Sequence, residues 1–170
     1  SPDGSRIAFD ATINPDLING GTSDLYVLAV ADNVVKTIVA QQGPDNSPRW
    51  SPDGTQLVFS SAMGNPRYFH SNARLAVVSA EGGAPRSITD TFDEQPGLID
   101  WRGDGVYFGG LQKTNSHLFR VELESTRCDV VPGTPGDVLH GSSRRTRPRV
   151  PWHGNNRGGG AARLPVSRVR

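Results

Sequence analysis

Apolar and polar residues alternate over short stretches of this chain, and the stretches recur in the same order. Two of them open on a tight turn that runs into a strand: Ser1-Pro2-Asp3-Gly4-Ser5-Arg6-Ile7-Ala8-Phe9 and Trp50-Ser51-Pro52-Asp53-Gly54-Thr55-Gln56-Leu57-Val58-Phe59. A worn copy follows as Trp101-Arg102-Gly103-Asp104-Gly105-Val106-Tyr107-Phe108. Proline presets φ at the first corner of a type I turn, aspartate bonds its own local backbone, and glycine takes the left-handed position. The aromatic at the far end is placed to anchor the strand in a core. After each copy comes a second apolar strand, predicted over 24–30, 75–78 and 117–123. A third, β-branched strand follows, over 35–39, 86–89 and 127–131. The Glu81-Gly82-Gly83 turn between two of these is hairpin chemistry. Short strands ahead of the turns, over 48–50 and 98–101, bring the count to four strands per repeat.

The turn aspartates stand at 3, 53 and 104, so the period is 50 and then 51 residues (53 − 3 and 104 − 53). Several short strands per period of about 40–50 residues are the signature of a β-propeller. The expected fold is therefore all-β: a partial β-propeller of about three four-stranded blades, followed by an irregular arginine-rich C-terminal tail. Its blades fall roughly at 1–39, 48–89 and 98–131, with the start of a fourth at 137–141, so that 1–141 is the propeller and 142–170 the tail. If the strands run up and down, the loops at 11–23, 62–73 and 109–116 and the links near 40–47, 90–97 and 132–137 all emerge on one face. The tight turns occupy the other. Long loops on a rigid scaffold are where function usually sits, so the loop-rich face is the expected working face.

Composition supports this reading. Thirteen prolines and twenty glycines in 170 residues suit a turn-dense β protein, and no stretch of ten residues has helical periodicity. No apolar run approaches the ~20 residues of a membrane span, and no secretory leader pattern opens the chain. The compartment stays open, with the cytoplasm the weak default. The single Cys128 excludes an internal disulfide framework and a cysteine-based zinc site. The net charge of +1 hides an asymmetry: from 138 onward there are eight of the sixteen arginines, no lysine and no acid. Where a turn is due, near 142–146, stands Ser142-Ser143-Arg144-Arg145-Thr146-Arg147-Pro148-Arg149. This tail carries too little apolar surface to fold alone, and reads as disordered or as out-of-frame sequence. Missing blades also leave strand edges open to association.

No residue set emerges as catalytic, cofactor-binding or metal-binding. Asp3, Asp53 and Asp104 have the type of a metal ligand, but turn formation accounts for them. Asp90, Asp93 and Glu94 form an acidic run that suits either a substrate amine or a solvated loop. His70, His117, His140 and His153 lack metal or catalytic spacing, and His117 falls in a strand. Trp50 and Trp101 occupy equivalent repeat positions and are assigned to the core. The tail arginines could contact nucleic-acid phosphates, with Trp152 as the lone stacking platform, but a nucleic-acid role is not expected.

The pattern W-S-P-D-G-x-x-L-x-F, followed by L-x-V-V-x-x-x-G-G-x-P-R-x-I-T-D, resembles the TolB-type propeller repeat. The nearer resemblance is to propellers of the prolyl oligopeptidase family of serine peptidases, particularly the acylaminoacyl-peptidase-like branch. The runs Asn72-Ala73-Arg74-Leu75-Ala76-Val77-Val78 and Gly109–Arg120 carry that second likeness, which covers roughly 1–141. It implies a propeller that precedes an α/β-hydrolase domain and restricts which peptides reach its Ser-Asp-His triad. The chain itself has no G-x-S-x-G elbow, so no nucleophile is carried over and the implied role is gating or positioning without catalysis. The alternative is a TolB-like scaffold whose partner is another protein. Neither reading implies a cofactor.

Overall fold

The computed structural model describes residues 1–13 and 21–132. Eleven strands are described: β1 Arg6–Ala11, β2 Asp24–Ala29, β3 Val34–Val39, β4 Asp45–Trp50, β5 Gln56–Ser61, β6 Arg74–Ser79, β7 Arg86–Ser87, β8 Gly97–Arg102, β9 Gly105–Gln112, β10 Asn115–Val121 and β11 Cys128–Val130. Every predicted strand up to residue 131 has a counterpart, and among the described residues no helix is long and apolar enough to cross a membrane. The strands form three antiparallel meanders in sequence order, β1-β2-β3, β4-β5-β6-β7 and β8-β9-β10-β11. The first has three strands and the other two have four. The start of a fourth blade at 137–141 and the tail at 142–170 lie outside the described residues.

What holds the sheets together is alternation along the middle one. In β5 and β6, Val58, Leu75 and Val77 point to one side and pack with Ile88, Phe92, Val106, Phe108, Phe119 and Val121. Leu57, Phe59, Ala76 and Val78 point to the other and pack with Leu25, Val27, Ile38 and Val39 of the first sheet. Both faces of the middle sheet are therefore dry, which is why β6 reads as an almost unbroken apolar run. Among the described residues the first sheet is covered on one face only. Its outward positions Ile7, Phe9, Tyr26 and Leu28 remain partly or largely exposed, with Phe9 and Tyr26 stacked at 5.6 Å.

The turns behave as their sequence requires. Gly54 N–H bonds to the Ser51 carbonyl at 2.9 Å with Gly54 at φ 71°, and Gly4 N–H to Ser1 at 3.1 Å with φ 76°. The Asp53 carboxylate accepts from the Ser51 hydroxyl (2.6 Å), the Thr55 hydroxyl (2.9 Å) and the Thr55 amide (3.1 Å). Asp3 is bonded likewise by the hydroxyls of Ser1 and Ser5 and the Ser5 amide. Those donors, the serine hydroxyls first, hold both carboxyls below the usual carboxylate range. The third copy is a different device. Arg102 pairs with Gly105, so Gly103 and Asp104 form a two-residue hairpin, and Asp104 accepts from Tyr107 Oη at 2.6 Å and pairs with Arg120 at 3.6 Å.

Neighbouring sheets are also clasped at their rims. Arg6 donates to the Gly54 carbonyl at 2.7 Å, lies 4.7 Å over the Trp50 ring, and shares Glu81 with Lys36. In the third sheet Phe92, Phe108 and Phe119 meet with ring centroids 4.9–5.3 Å apart. Phe92 comes from the link between sheets and lies directly over Gly110, where any Cβ would collide with its ring.

Three expectations are corrected. Residues 109–116 are not a loop: β9 continues to Gln112, and only Lys113 and Thr114 turn before β10 begins. The glycines at 109 and 110 are thus strand residues, one of them making room for Phe92. Trp50 and Trp101 pack against the two cores without being enclosed by them, because each closes the rim of a strand that carries a β-bulge. The strand predicted over 86–89 is cut to Arg86–Ser87, although Ile88 N–H still bonds to Leu75 (2.8 Å) and the Thr89 hydroxyl takes over the Leu75 amide (2.9 Å).

The repeat supplies its own control experiment. Phe59 is fully buried and Phe9, its counterpart, is only partly buried. Phe59→Ala is expected to cost about 3–5 kcal/mol in urea unfolding, and Phe9→Ala much less, because only the first leaves a closed cavity.

Candidate functional site

Antiparallel meanders bring the C-terminal end of each inner strand beside the N-terminal end of the next. Ala11 therefore faces Asp24, and Ser61 faces both Arg74 and Asp45. On this end of the first two sheets the long connections emerge. The 62–73 loop is fixed by its own bonds: Asn65 N–H to the Ala62 carbonyl (3.1 Å), Arg67 N–H to Asn65 Oδ1 (2.9 Å) and Asn65 Nδ2 to the Ser71 hydroxyl (2.9 Å). It ends in a short 3-10 turn, Tyr68–His70. The Tyr68 ring fills the space where Gly21 lacks a side chain and lies beside Gly43, whose own space is taken by Ala62, and Phe69 beside it is 77% exposed. Of the 11–23 loop, residues 14–20 lie outside the described residues.

Between the first two sheets these connections border a shallow, open cleft of about 580 Å³, lined by Thr22, Asp24, Gln41, Gly43, Pro66 and Tyr68 among others. Behind its wall lies Asp45, fully buried. Asp45 Oδ1 accepts from the Ser61 hydroxyl at 2.6 Å and from Gln41 Nε2 at 2.9 Å, while Oδ2 has no hydrogen-bond partner among the described residues. The Asp45 amide bonds to the Ser23 carbonyl at 2.7 Å, tying the two sheets together at this point. Burial pushes the Asp45 carboxyl up, with the Asp24 charge adding to it, and burial raises Asp24 as well. Gln41 stands beside both carboxyls: its side chain bonds to Asp45, and its backbone amide lowers the Asp24 carboxyl against the larger effect of burial. No lysine or arginine among the described residues forms an ion pair with either.

A second cavity, of about 590 Å³, lies between the 91–94 link and the third sheet. Asp93 and Glu94 line it together with Lys113 and Arg127, so its charges are mixed, and Phe92 and Cys128 complete the wall. Burial pushes the Cys128 thiol up, away from a reactive thiolate. The link is pinned by Arg74 to the Phe92 carbonyl (2.6 Å), Asn72 to the Asp93 carbonyl (2.8 Å) and the Ala73 amide to Gln95 (3.0 Å).

The acidic run is thereby divided. Asp90 is bonded to the Ser87 hydroxyl at 2.7 Å, whereas Asp93 and Glu94 reach the cavity. His70 is exposed on the second sheet's loop and His117 lies in β10, its ring 6.3 Å from Phe119, so the described histidines belong to different blades. His140, His153 and Trp152 lie outside the described residues. Among the described residues no three His, Cys, Asp or Glu side chains gather as a metal site, and the carboxylates of Asp3, Asp53 and Asp104 are engaged within their own turns or, for Asp104, across the hairpin. Asp24, Gln41 and Asp45 were not among the sequence candidates. The one available signal was Asp45 itself, a charged residue at a position that continues β4 toward its N-terminal end.

No family model matches the chain. Among solved structures it is similar to a TolB-assigned protein from Agrobacterium tumefaciens, with a TM-score of 0.61 at 17% identity over 76% of this chain and 46% of that one. It is similar also to TolB from Acinetobacter baumannii, with a TM-score of 0.56 at 20% identity over 76% of this chain and 30% of that one. The chain thus spans less than half the length of either, and its fold is that of a TolB-like β-propeller segment.

The orphaned Asp45 oxygen makes stability depend on pH in a particular direction. With its folded-state pKa raised, Asp45 contributes most below the carboxylate range and loses that contribution as pH rises through the raised value. Asp45→Asn is therefore expected to match the parent in acid and to exceed it at pH 7, by on the order of 1 kcal/mol. Parallel urea melts at pH 4 and pH 7 read the difference.

Proposed function

We propose that the chain is a non-catalytic binding scaffold whose loop-rich face takes a protein or peptide partner. The observation that carries this reading is the contrast between the two ends of the first two sheets. One end is closed by Pro-Asp-Gly turns whose polar groups bond internally. The other presents a fixed loop with an exposed Phe69 and an open cleft whose wall includes Asp24, a carboxylate with no ion-pair partner among the described residues. A middle sheet buried on both faces gives those loops a rigid base, and the TolB-like fold agrees with a role in presenting surface. The test is replacement of residues 62–73 by a two-residue Asn-Gly turn in the full chain. Loss of partner capture with an unchanged far-UV spectrum is expected, and unimpaired capture would overturn the assignment of this face.

The finer reading places this propeller ahead of an α/β-hydrolase domain, admitting peptides and excluding folded proteins. The W-S-P-D-G repeat and the Asn72–Val78 run support it. On either reading the chain alone is inert, so no turnover of an acyl-aminoacyl p-nitroanilide is expected. Turnover abolished by a serine-directed reagent would contradict both.

A further inference from the structure

We infer that the cleft between the first two sheets is a recognition site for a single cationic side chain, the ammonium of a lysine or the guanidinium of an arginine. The inference rests on the scaffold reading in treating the loop-rich face as the contact surface, and it names what that surface selects. Three observations converge.

The cleft has a carboxylate in its wall, Asp24, with no ion-pair partner among the described residues. A second carboxylate, Asp45, is sealed one residue behind it. Gln41 lines the cleft with Asp24 and bonds to Asp45 through its side chain at 2.9 Å. Asp45 keeps one oxygen without a hydrogen-bond partner among the described residues, an uncommon state for a buried polar atom. The local sequence supplies no counter-charge: from Ile7 to Val35 there is no lysine or arginine but four aspartates, Asp10, Asp16, Asp24 and Asp32, and from Thr37 to Pro48 there is Asp45 and no base. Arg67, next to the cleft in sequence, is exposed and makes no ion pair among the described residues.

Tyr68 adds an aromatic wall, against which the alkyl stem or the cation itself can lie. An entering cation would meet Asp24 directly and feel Asp45 through Gln41. A cleft of about 580 Å³ accommodates one long side chain with room for water. An anionic group would meet the Asp24 carboxylate and, among the described residues, no basic side chain in the lining, and is disfavoured by that charge.

The experiment is a titration of the ¹⁵N-labelled full chain at pH 7 and constant ionic strength. The probes are n-butylammonium and methylguanidinium, with butyrate and n-butanol as the anionic and neutral counterparts. The two cations are expected to shift the amides of Asp24, Gln41 and Gly43 and the Gln41 side-chain NH₂ saturably in the millimolar range, and the other two probes are not. Asp24→Asn is expected to weaken cation binding about tenfold, the loss of one close charge pair at a half-wet site. Absence of saturable shifts, equal shifts from n-butanol, or unchanged affinity in Asp24→Asn would overturn the inference. The selectivity among probes is read on the parent chain and does not depend on the variant folding. Partner capture that depends on residues 62–73 without any cation binding would sink this inference and leave the scaffold reading standing.

Discussion

The whole arrangement depends on burying both faces of one sheet. A β-sheet has two sides, and a strand's period of two sends alternate residues to each. In an isolated sheet with one core, half of those residues would be polar. Here Leu57, Val58 and Phe59 are consecutive and all fully buried, because sheets stand on both sides of them. Each apolar side chain removed from water contributes roughly 1.5–3 kcal/mol, so the middle sheet is both the most apolar and the best anchored. The outer two then inherit their orientation from it. Rim contacts such as Arg6 to the Gly54 carbonyl set the register between neighbours, but they act on sheets already held by the core.

That constraint also explains where the loop-rich face acquires its character. Tyr68 is held over Gly21 and Gly43 because the 62–73 loop must return within one strand spacing and bonds to itself on the way. The Asp45 amide ties β4 to Ser23 of the first sheet, which draws its carboxylate out of solvent. An acid in that position is tolerated because Ser61 and Gln41 satisfy one oxygen. The remaining cost is local and resides where the sheets meet the cleft, the kind of place where a scaffold trades stability for recognition.

Most of the fold was legible in the sequence, for a physical reason. The Pro-Asp-Gly turn is a self-contained device: Ser51, Asp53 and Thr55 satisfy one another and the backbone within five residues, so local sequence dictates local structure. Strand β7 and the hairpin at 109–116 were misread because their shape is decided at long range. Gly109-Gly110 looks like a loop until Phe92, from another sheet's link, is seen over Gly110. Thr89 ends β7 early because its hydroxyl replaces a backbone partner. The cleft was illegible for the same reason. Asp24, Gln41 and Asp45 are spread over three segments that only the packing of two sheets brings together, and none belongs to a motif.

The third turn carries a lesson about how such a chain can change. In the first two copies the proline, the serine hydroxyl and the aspartate cage act together, whereas the third has lost the proline and the serine. Yet Arg102 still pairs with Gly105 and the ladder beyond is intact, because Asp104 has found Tyr107 and Arg120 as replacements. A repeat of this kind is therefore a loosely coupled cassette. Its turn can drift, shorten by two residues and recruit new partners without disturbing the sheets on either side, so copies can diverge at their tips while the packed faces between them stay under tight constraint.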